Sequence, residues 1–122
     1  MDFTEYQRRA HTTAIYKTDL KFKVWTRLFD KDYYADIPVY PFLKLMAETS
    51  ELAQPIIKQV FRGDNEPMLL EEVVKEIGDS LWYIAEEATI INKSLNEIAQ
   101  MNLTKLSSRA KNGTIKGNGD NR

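Results

Sequence analysis

The chain contains no cysteine and only one histidine, and both shortages limit the kinds of metal and catalytic site that it can form. Without cysteine, the 122 residues exclude disulfide bonds, zinc–thiolate sites, iron–sulfur clusters and cysteine nucleophiles. A di-iron bundle built on Glu-x-x-His motifs needs a histidine on each of two helices, which a single histidine cannot supply. We interpret His11 as a surface or edge residue.

Long apolar runs and an excess of one charge are also absent. No stretch approaches the ~20 apolar residues that span a bilayer, and the N-terminal MDFTEYQRRA is charged and polar, unlike a secretory signal. Seventeen Lys and Arg against 18 Asp and Glu give a net charge of −1, so nothing favours general binding to nucleic acid or anionic lipid. We expect a cytoplasmic protein that binds neither nucleic acid nor membrane.

The residues that are present predict helices. Asp2 with Glu5, and Ser94 with Glu97, match the capping box of a helix start, and Pro41 suits a first helical turn. Helices are predicted over about 2–16, 20–29, 41–62, 68–91 and 94–109, with a loop over about 30–40. We find no convincing strand pair, so we predict an all-α fold: a single domain over 1–110, followed by a flexible Gly-rich tail over 111–122.

The predicted third helix carries an apolar stripe whose members recur at alternating steps of four and three residues. They are Leu70, Val74, Ile77, Leu81, Ile84, Ala88 and Ile91. Such a stripe is typical of a buried helix face. Neither this helix nor the second has a clean polar side, which indicates that something, such as a second chain, covers both.

Two pairs of carboxylates lie inside these helices. Glu48 with Glu51, and Glu76 with Asp79, are each three residues apart and therefore share a helix face. One such pair is usually just a solvated surface. If the two helices pack antiparallel, however, four carboxylates converge and repel one another unless a cation lies between them. Oxygen ligands suit Mg²⁺ or Mn²⁺, and such a site favours phosphate-ester or anhydride chemistry.

Several further side chains are candidates for binding a phosphorylated substrate. Asn102 falls on the apolar face of the fourth helix, where a buried amide needs a partner. The candidates are Asn102, Lys105, Arg109, Lys58, Tyr83 and Trp25. Taken singly, the basic residues are typical of a solvated edge and the aromatic residues of a core.

The order of these segments resembles the MazG-like family of all-α nucleotide pyrophosphohydrolases. ETSE at 48–51 is followed, after 24 residues, by EIGD at 76–79, in the manner of the family's ExxE and ExxD motifs. NLTKLSSR at 102–109 and the ending G-x-I-x-G-x-G-D-x-R at 113–122 are also similar to family segments. The resemblance covers roughly three quarters of the chain.

The resemblance implies a four-to-five-helix domain whose helices join those of a partner chain in an intersubunit bundle, as a homodimer or homotetramer. It implies Mg²⁺ held by Glu48, Glu51, Glu76 and Asp79, and hydrolysis of a nucleoside triphosphate to the monophosphate and pyrophosphate. Asn102, Lys105 and Arg109 would contact the nucleotide.

The general base stays open among Glu48, Glu51 and Glu72, because Ala47 stands where many members carry a Glu. The segment 17–40 is longer than in compact members and could be a lid or a base pocket, so the preferred base is not implied.

Two alternatives remain at this point. A non-catalytic helical adaptor would use the same acids in ion pairs between chains and would need no metal. An enzyme with the same metal site could instead act on another phosphorylated metabolite.

Overall fold

The computed structural model describes residues 1–113, which form four helices and a two-stranded antiparallel sheet. The elements in chain order are α1 (Phe3–His11), β1 (Lys21–Leu28), β2 (Lys31–Pro38), α2 (Tyr40–Phe61), α3 (Leu70–Ile90) and α4 (Leu95–Asn112). The all-α prediction is therefore wrong. Residues 111 and 112 belong to α4, and the rest of the predicted tail, 114–122, lies outside the described residues.

A β-hairpin replaces the helix predicted over 20–29 and the loop predicted over 30–40. Apolar and charged residues alternate over 21–24 and 35–37, a period of two that suits strands, but Val24-Trp25 and Tyr33-Tyr34 interrupt it. Phe22 lies opposite Ile37, and Trp25 opposite Tyr34. Two cross-strand ion pairs fix this register: Lys23 to Asp36 at 2.8 Å and Arg27 to Asp32 at 3.1 Å.

The hairpin turns through two residues in left-handed conformations. Phe29 has φ +51° and Asp30 has φ +62°. A two-residue turn of this type matches the twist of the strands, but it usually contains Asn-Gly or Asp-Gly. Because Phe-Asp contains no glycine, the turn could not be recognised from the sequence.

The predicted helix caps are confirmed. The Asp2 Oδ1 accepts a hydrogen bond from the Glu5 N–H at 2.9 Å, and the Ser94 Oγ accepts one from the Glu97 N–H at 3.0 Å. Pro41 is buried in the first turn of α2. The helix bounds beyond residue 40 agree with prediction to within a few residues.

Helix α1 ends at His11 and not near Tyr16, because two threonines compete for its last carbonyls. The Thr12 and Thr13 hydroxyls donate to the carbonyls of Arg9 and Ala10, at 2.6 and 2.7 Å. The segment that follows is released from the helix and crosses α3.

Helices α2 and α3 pack side by side in opposite directions, as the contact of Tyr40 at the start of α2 with Tyr83 late in α3 shows. Helix α1 packs on α3 and α4. The small core there contains Ala10, Ala85, Ala88 and Leu95.

The apolar stripe of α3 is not a buried face within one chain. Leu70 is 71% exposed, Val74 59% and Ile77 56%. Only the carboxyl-terminal end of the stripe, at Ala88, is buried. None of the helices within residues 1–113 combines the length and the apolar character needed to cross a membrane.

Candidate metal centre

The antiparallel pairing of α2 with α3 brings acidic side chains from both helices together. Glu48, Glu76 and Asp79 each offer a carboxylate oxygen, and these oxygens lie within 4.8 Å of one another. Glu51, one turn beyond Glu48 on α2, interacts with Glu76 through its side chain. Three of the four carboxylates expected to converge, those of Glu48, Glu76 and Asp79, thus meet in a single chain.

Glu76 lies at the centre of this cluster, within reach of the charges of the other three acids. Partial burial, followed by the charges of Glu51, Glu48 and Asp79, raises the pKa of Glu76. Its Oε2 is shielded from solvent and receives no hydrogen bond from any residue in the described range. A carboxylate oxygen of this kind is costly unless a proton or a cation compensates it.

These donors fit a hard divalent cation. All four side chains offer oxygen, which Mg²⁺ and Mn²⁺ prefer, and an opposite charge would relieve the repulsion around Glu76. The Nζ of Lys44 lies 3.8 Å from Glu48, at one edge of the cluster. At that distance it neutralises one edge of the cluster and leaves Glu76 uncompensated.

Aromatic and hydroxyl groups wall one side of the cluster. A cavity of about 400 Å³, here called the acidic cavity, is lined by Thr13, Glu48, Asp79, Trp82 and Tyr83. The Trp82 Nε1 donates to the Thr13 Oγ1 at 2.9 Å, which fixes the indole against the segment after α1. Burial, Tyr40 and the neighbouring carboxylates raise the pKa of Tyr83 to about 12, so its hydroxyl stays protonated as a donor.

A buried carboxylate holds the segment after α1 in this position. Glu86 is completely buried on α3, and its oxygens lie 3.1 and 3.3 Å from the Nδ1 of His11. The Tyr16 hydroxyl also interacts with Glu86. One carboxylate therefore joins both ends of the segment that supplies Thr13 and Tyr16.

The predicted site residues do not all lie at this cluster. Tyr83 lines the acidic cavity. Glu72 is 61% exposed and faces Lys75 at 3.9 Å, outside the group of three carboxylates. Trp25 lies in a separate cavity between the hairpin and the end of α3.

The basic and amide candidates are distributed elsewhere. Asn102 is exposed and not buried as expected, in a depression beside Leu81 and Ile98. Lys58 is exposed near the end of α2, Lys105 is exposed on α4, and Arg109 is buried. None of these four lines the acidic cavity of a single chain.

Sequence reasoning overlooked several residues that the structure brings to this region. Tyr40, Lys44 and Glu48 follow one another at steps of four along α2, and Glu86 continues the spacing of Asp79 and Tyr83 on α3. This helical periodicity could have found Tyr40, Lys44 and Glu86. No periodic signal marks Thr13 and Tyr16, because they lie after α1 ends.

Comparison with known proteins gives a relative whose name specifies no activity. Over 87 residues, which are 68% of this chain and 75% of the relative, the chain is 36% identical to the "Gene 37 protein" of Mycobacterium phage L5. No family model matches the chain. No solved structure matches it.

Proposed function

The chain belongs to the family of the Gene 37 protein of Mycobacterium phage L5, and we propose that it is a Mg²⁺-dependent nucleoside triphosphate pyrophosphohydrolase. The substrate would be an NTP or dNTP, and the products the monophosphate and pyrophosphate. The observation that carries the proposal is the meeting of Glu48, Glu76 and Asp79 within 4.8 Å across two helices. The MazG-like order of the acidic motifs supports the same activity, and a cytoplasmic location would suit it.

In this proposal the four acids hold Mg²⁺, or Mn²⁺, and the cavity walls hold the substrate. When bound, the cation would neutralise the negative charge of the phosphate oxygens. Tyr83, which lines the acidic cavity, would contact phosphate oxygens, whereas the Thr13 hydroxyl is already bonded to Ala10 and Trp82 and only forms part of the wall. The general base would be Glu48 or Glu51, because Glu72 faces Lys75 outside the cluster.

We also propose that the active form is a homodimer or homotetramer. The chain exposes 9681 Å², whereas a compact monomer of 14.2 kDa is expected to expose about 6,800 Å². Nine fully extended residues, an upper bound for those outside the described range, would add about 1,400 Å². The excess beyond that, about 1,500 Å², exceeds the ~800 Å² per partner of a standard interface. Asn102, Lys105 and Lys58, which are exposed, could meet the acidic cavity of a partner chain in such an assembly, whereas Arg109 is buried within its own chain.

The test is release of pyrophosphate by the full chain from a panel of NTPs and dNTPs, with and without Mg²⁺. Glu76→Gln and Asp79→Asn should each lower the rate by at least about 100-fold, since loss of mere outer-shell partners of a metal already costs 10–100-fold. Glu71→Gln, on the exposed first turn of α3, is the matched control and should leave the rate unchanged.

Full activity in Glu76→Gln and Asp79→Asn would refute the site. A chain that releases no pyrophosphate and gains no thermal stability from Mg²⁺ and nucleotide would be the helical adaptor instead, since a bound ligand at 100 times its Kd adds about 2.7 kcal/mol. Release of inorganic phosphate from other phosphorylated metabolites, with no pyrophosphate from triphosphates, would indicate the other hydrolase.

A further inference from the structure

A second cavity lies beside the acidic cavity, and its walls are mainly apolar. Its volume is about 580 Å³, within the ~300–1,000 Å³ of small-molecule sites. Its walls come from the segment after α1 and from the first turns of α2, and they include Tyr16, Leu20, Tyr40 and Leu43. We call it the apolar cavity.

Three contacts join the apolar cavity to the acidic cavity. The Tyr16 ring meets the Trp82 ring at 6.3 Å, and the Tyr40 ring meets the Tyr83 ring at 6.3 Å. Lys44 lines the apolar cavity while its Nζ lies 3.8 Å from Glu48 in the acidic cluster. A single ligand could therefore occupy both cavities, with an anionic part at the acids and an apolar ring beyond Lys44.

The aromatic wall of the apolar cavity is held rigidly. Tyr16 and Tyr40 stack with their ring centres 5.3 Å apart and their planes 10° apart. The Tyr16 hydroxyl interacts with Glu86, which is fully buried, and the Tyr40 ring lies 6.3 Å from that of Tyr83. The stack occupies the facing surfaces of the two rings and leaves only an outer face for a planar ligand, and little side-chain freedom remains to be lost on binding.

From this continuity we infer that the apolar cavity binds the base of the nucleoside triphosphate, which places the triphosphate along Lys44 toward the four acids. This inference rests on the proposed function and names the substrate subsite. Leu20 and Leu43 would cover the base, and Lys44 would meet the phosphates with its ammonium group.

The experiment measures binding and not turnover. Calorimetry in Mg²⁺ compares α,β-methylene nucleoside triphosphates of each base with inorganic tripolyphosphate, which has no base. The wild-type chain should bind at least one methylene analogue ten-fold or more tighter than tripolyphosphate. Leu20→Gln with Leu43→Gln should remove that difference and leave tripolyphosphate affinity within two-fold.

Leu20 and Leu43 are 71% and 63% exposed, so their replacement should not unfold the chain. Leu103→Gln is the matched control, since Leu103 is 58% exposed on α4 and lies outside the acidic and apolar cavities. Size-exclusion chromatography of each variant shows whether the assembly is kept.

Equal affinities of the wild-type chain for the methylene analogues and tripolyphosphate would overturn the inference. So would a double variant that keeps the preference. Suppose the wild-type chain prefers a methylene analogue to tripolyphosphate, the double variant loses this preference, and the chain releases no pyrophosphate. The proposed activity then fails and the base subsite stands. If pyrophosphate is released but the double variant binds like wild type, only the subsite fails, and binding of neither ligand would overturn both.

Discussion

The carboxylate of Glu86, which solvent does not reach, lies 3.1 Å from the Nδ1 of His11, which is half exposed. The pair joins the last residue of α1 to the last turns of α3. With the Tyr16 hydroxyl on the same carboxylate, Glu86 positions the chain that walls both cavities. A buried carboxylate in the midst of a small alanine-rich core is retained because its hydrogen bonds compensate its desolvation.

Replacing this carboxylate should loosen the segment after α1. We expect Glu86→Ala to lower the free energy of unfolding by about 2 kcal/mol or more, because hydrogen bonds to a charged group contribute ~1.5–3 kcal/mol. Urea denaturation measures the change. Glu87→Ala is the control on the same helix turn: Glu87 is half-buried and forms no side-chain hydrogen bond among those seen in residues 1–113. If both variants lose the same free energy of unfolding, Glu86 has no special role in holding the segment after α1.

Tyr16 should make stability depend on alkaline pH. Burial first, and then the hydrogen bond to Glu86 and its charge, raises the pKa of the Tyr16 hydroxyl above its ordinary value of 10.0. Since the folded chain holds this proton more tightly than the unfolded chain, the stabilisation is complete below pH 10 and is lost as the pH rises beyond it. Tyr16→Phe should therefore show a smaller fall in melting temperature between pH 9 and pH 11.

Tyr6 and Tyr83 also have raised pKa values, so the comparison must be with wild type across the same pH range. Tyr33→Phe, on the exposed hairpin, is the matched control. A Tyr16→Phe profile parallel to that of wild type would contradict the coupling to Glu86.

The raised pKa of Glu76 predicts a destabilising charge when no cation is bound. Its folded pKa lies above its unfolded value, so the folded chain is favoured by protonation and loses stability as the pH rises through the folded pKa. Glu76→Gln should raise the melting temperature at neutral pH in a chelating buffer. The same variant should lose the thermal shift that Mg²⁺ gives the wild-type chain. If Glu76→Gln has a lower melting temperature than wild type in the chelating buffer, the proposed repulsion between Glu76 and the neighbouring carboxylates is wrong.

The acidic site and the helices could be predicted because each rests on a local pattern. The spacing of Glu48 with Glu51 and of Glu76 with Asp79 fixes the faces they share, and α2 and α3 then need only pack antiparallel. The hairpin was missed because Val24-Trp25 and Tyr33-Tyr34 interrupt the alternation of its strands and because the Phe29-Asp30 turn contains no glycine. Thr13 and Tyr16 could not be found, because contacts with α3 across some seventy residues place them and no local pattern does.

The exposed stripe of α3 predicts an assembly that one charge should disrupt. Ile77 is 56% exposed on α3 and lies outside the small core of Ala10, Ala85, Ala88 and Leu95. Ile77→Glu would place a charge in an apolar interface and should shift the chain toward the monomer in sedimentation at micromolar concentration. Lys75 is exposed two residues earlier on the same helix, and Lys75→Glu should leave the assembly unchanged. If the wild-type chain is already monomeric in the same sedimentation experiment, the exposed stripe of α3 is not an interface between chains.

The hairpin turn should be improvable by residues that accept left-handed backbone conformations. Phe29 has φ +51° and is 95% exposed, so its ring packs on little while its backbone carries a cost of ~1–2 kcal/mol. Phe29→Asn with Asp30→Gly gives the sequence that two-residue turns prefer and should raise the free energy of unfolding by about 1 kcal/mol. Phe29→Leu, a side chain of similar character with the same backbone cost, is the control and should be nearly neutral. If Asn-Gly destabilises the chain, the Phe29 ring contributes a contact that outweighs the backbone cost, and thermal melting of Phe29→Ala would then show a comparable loss.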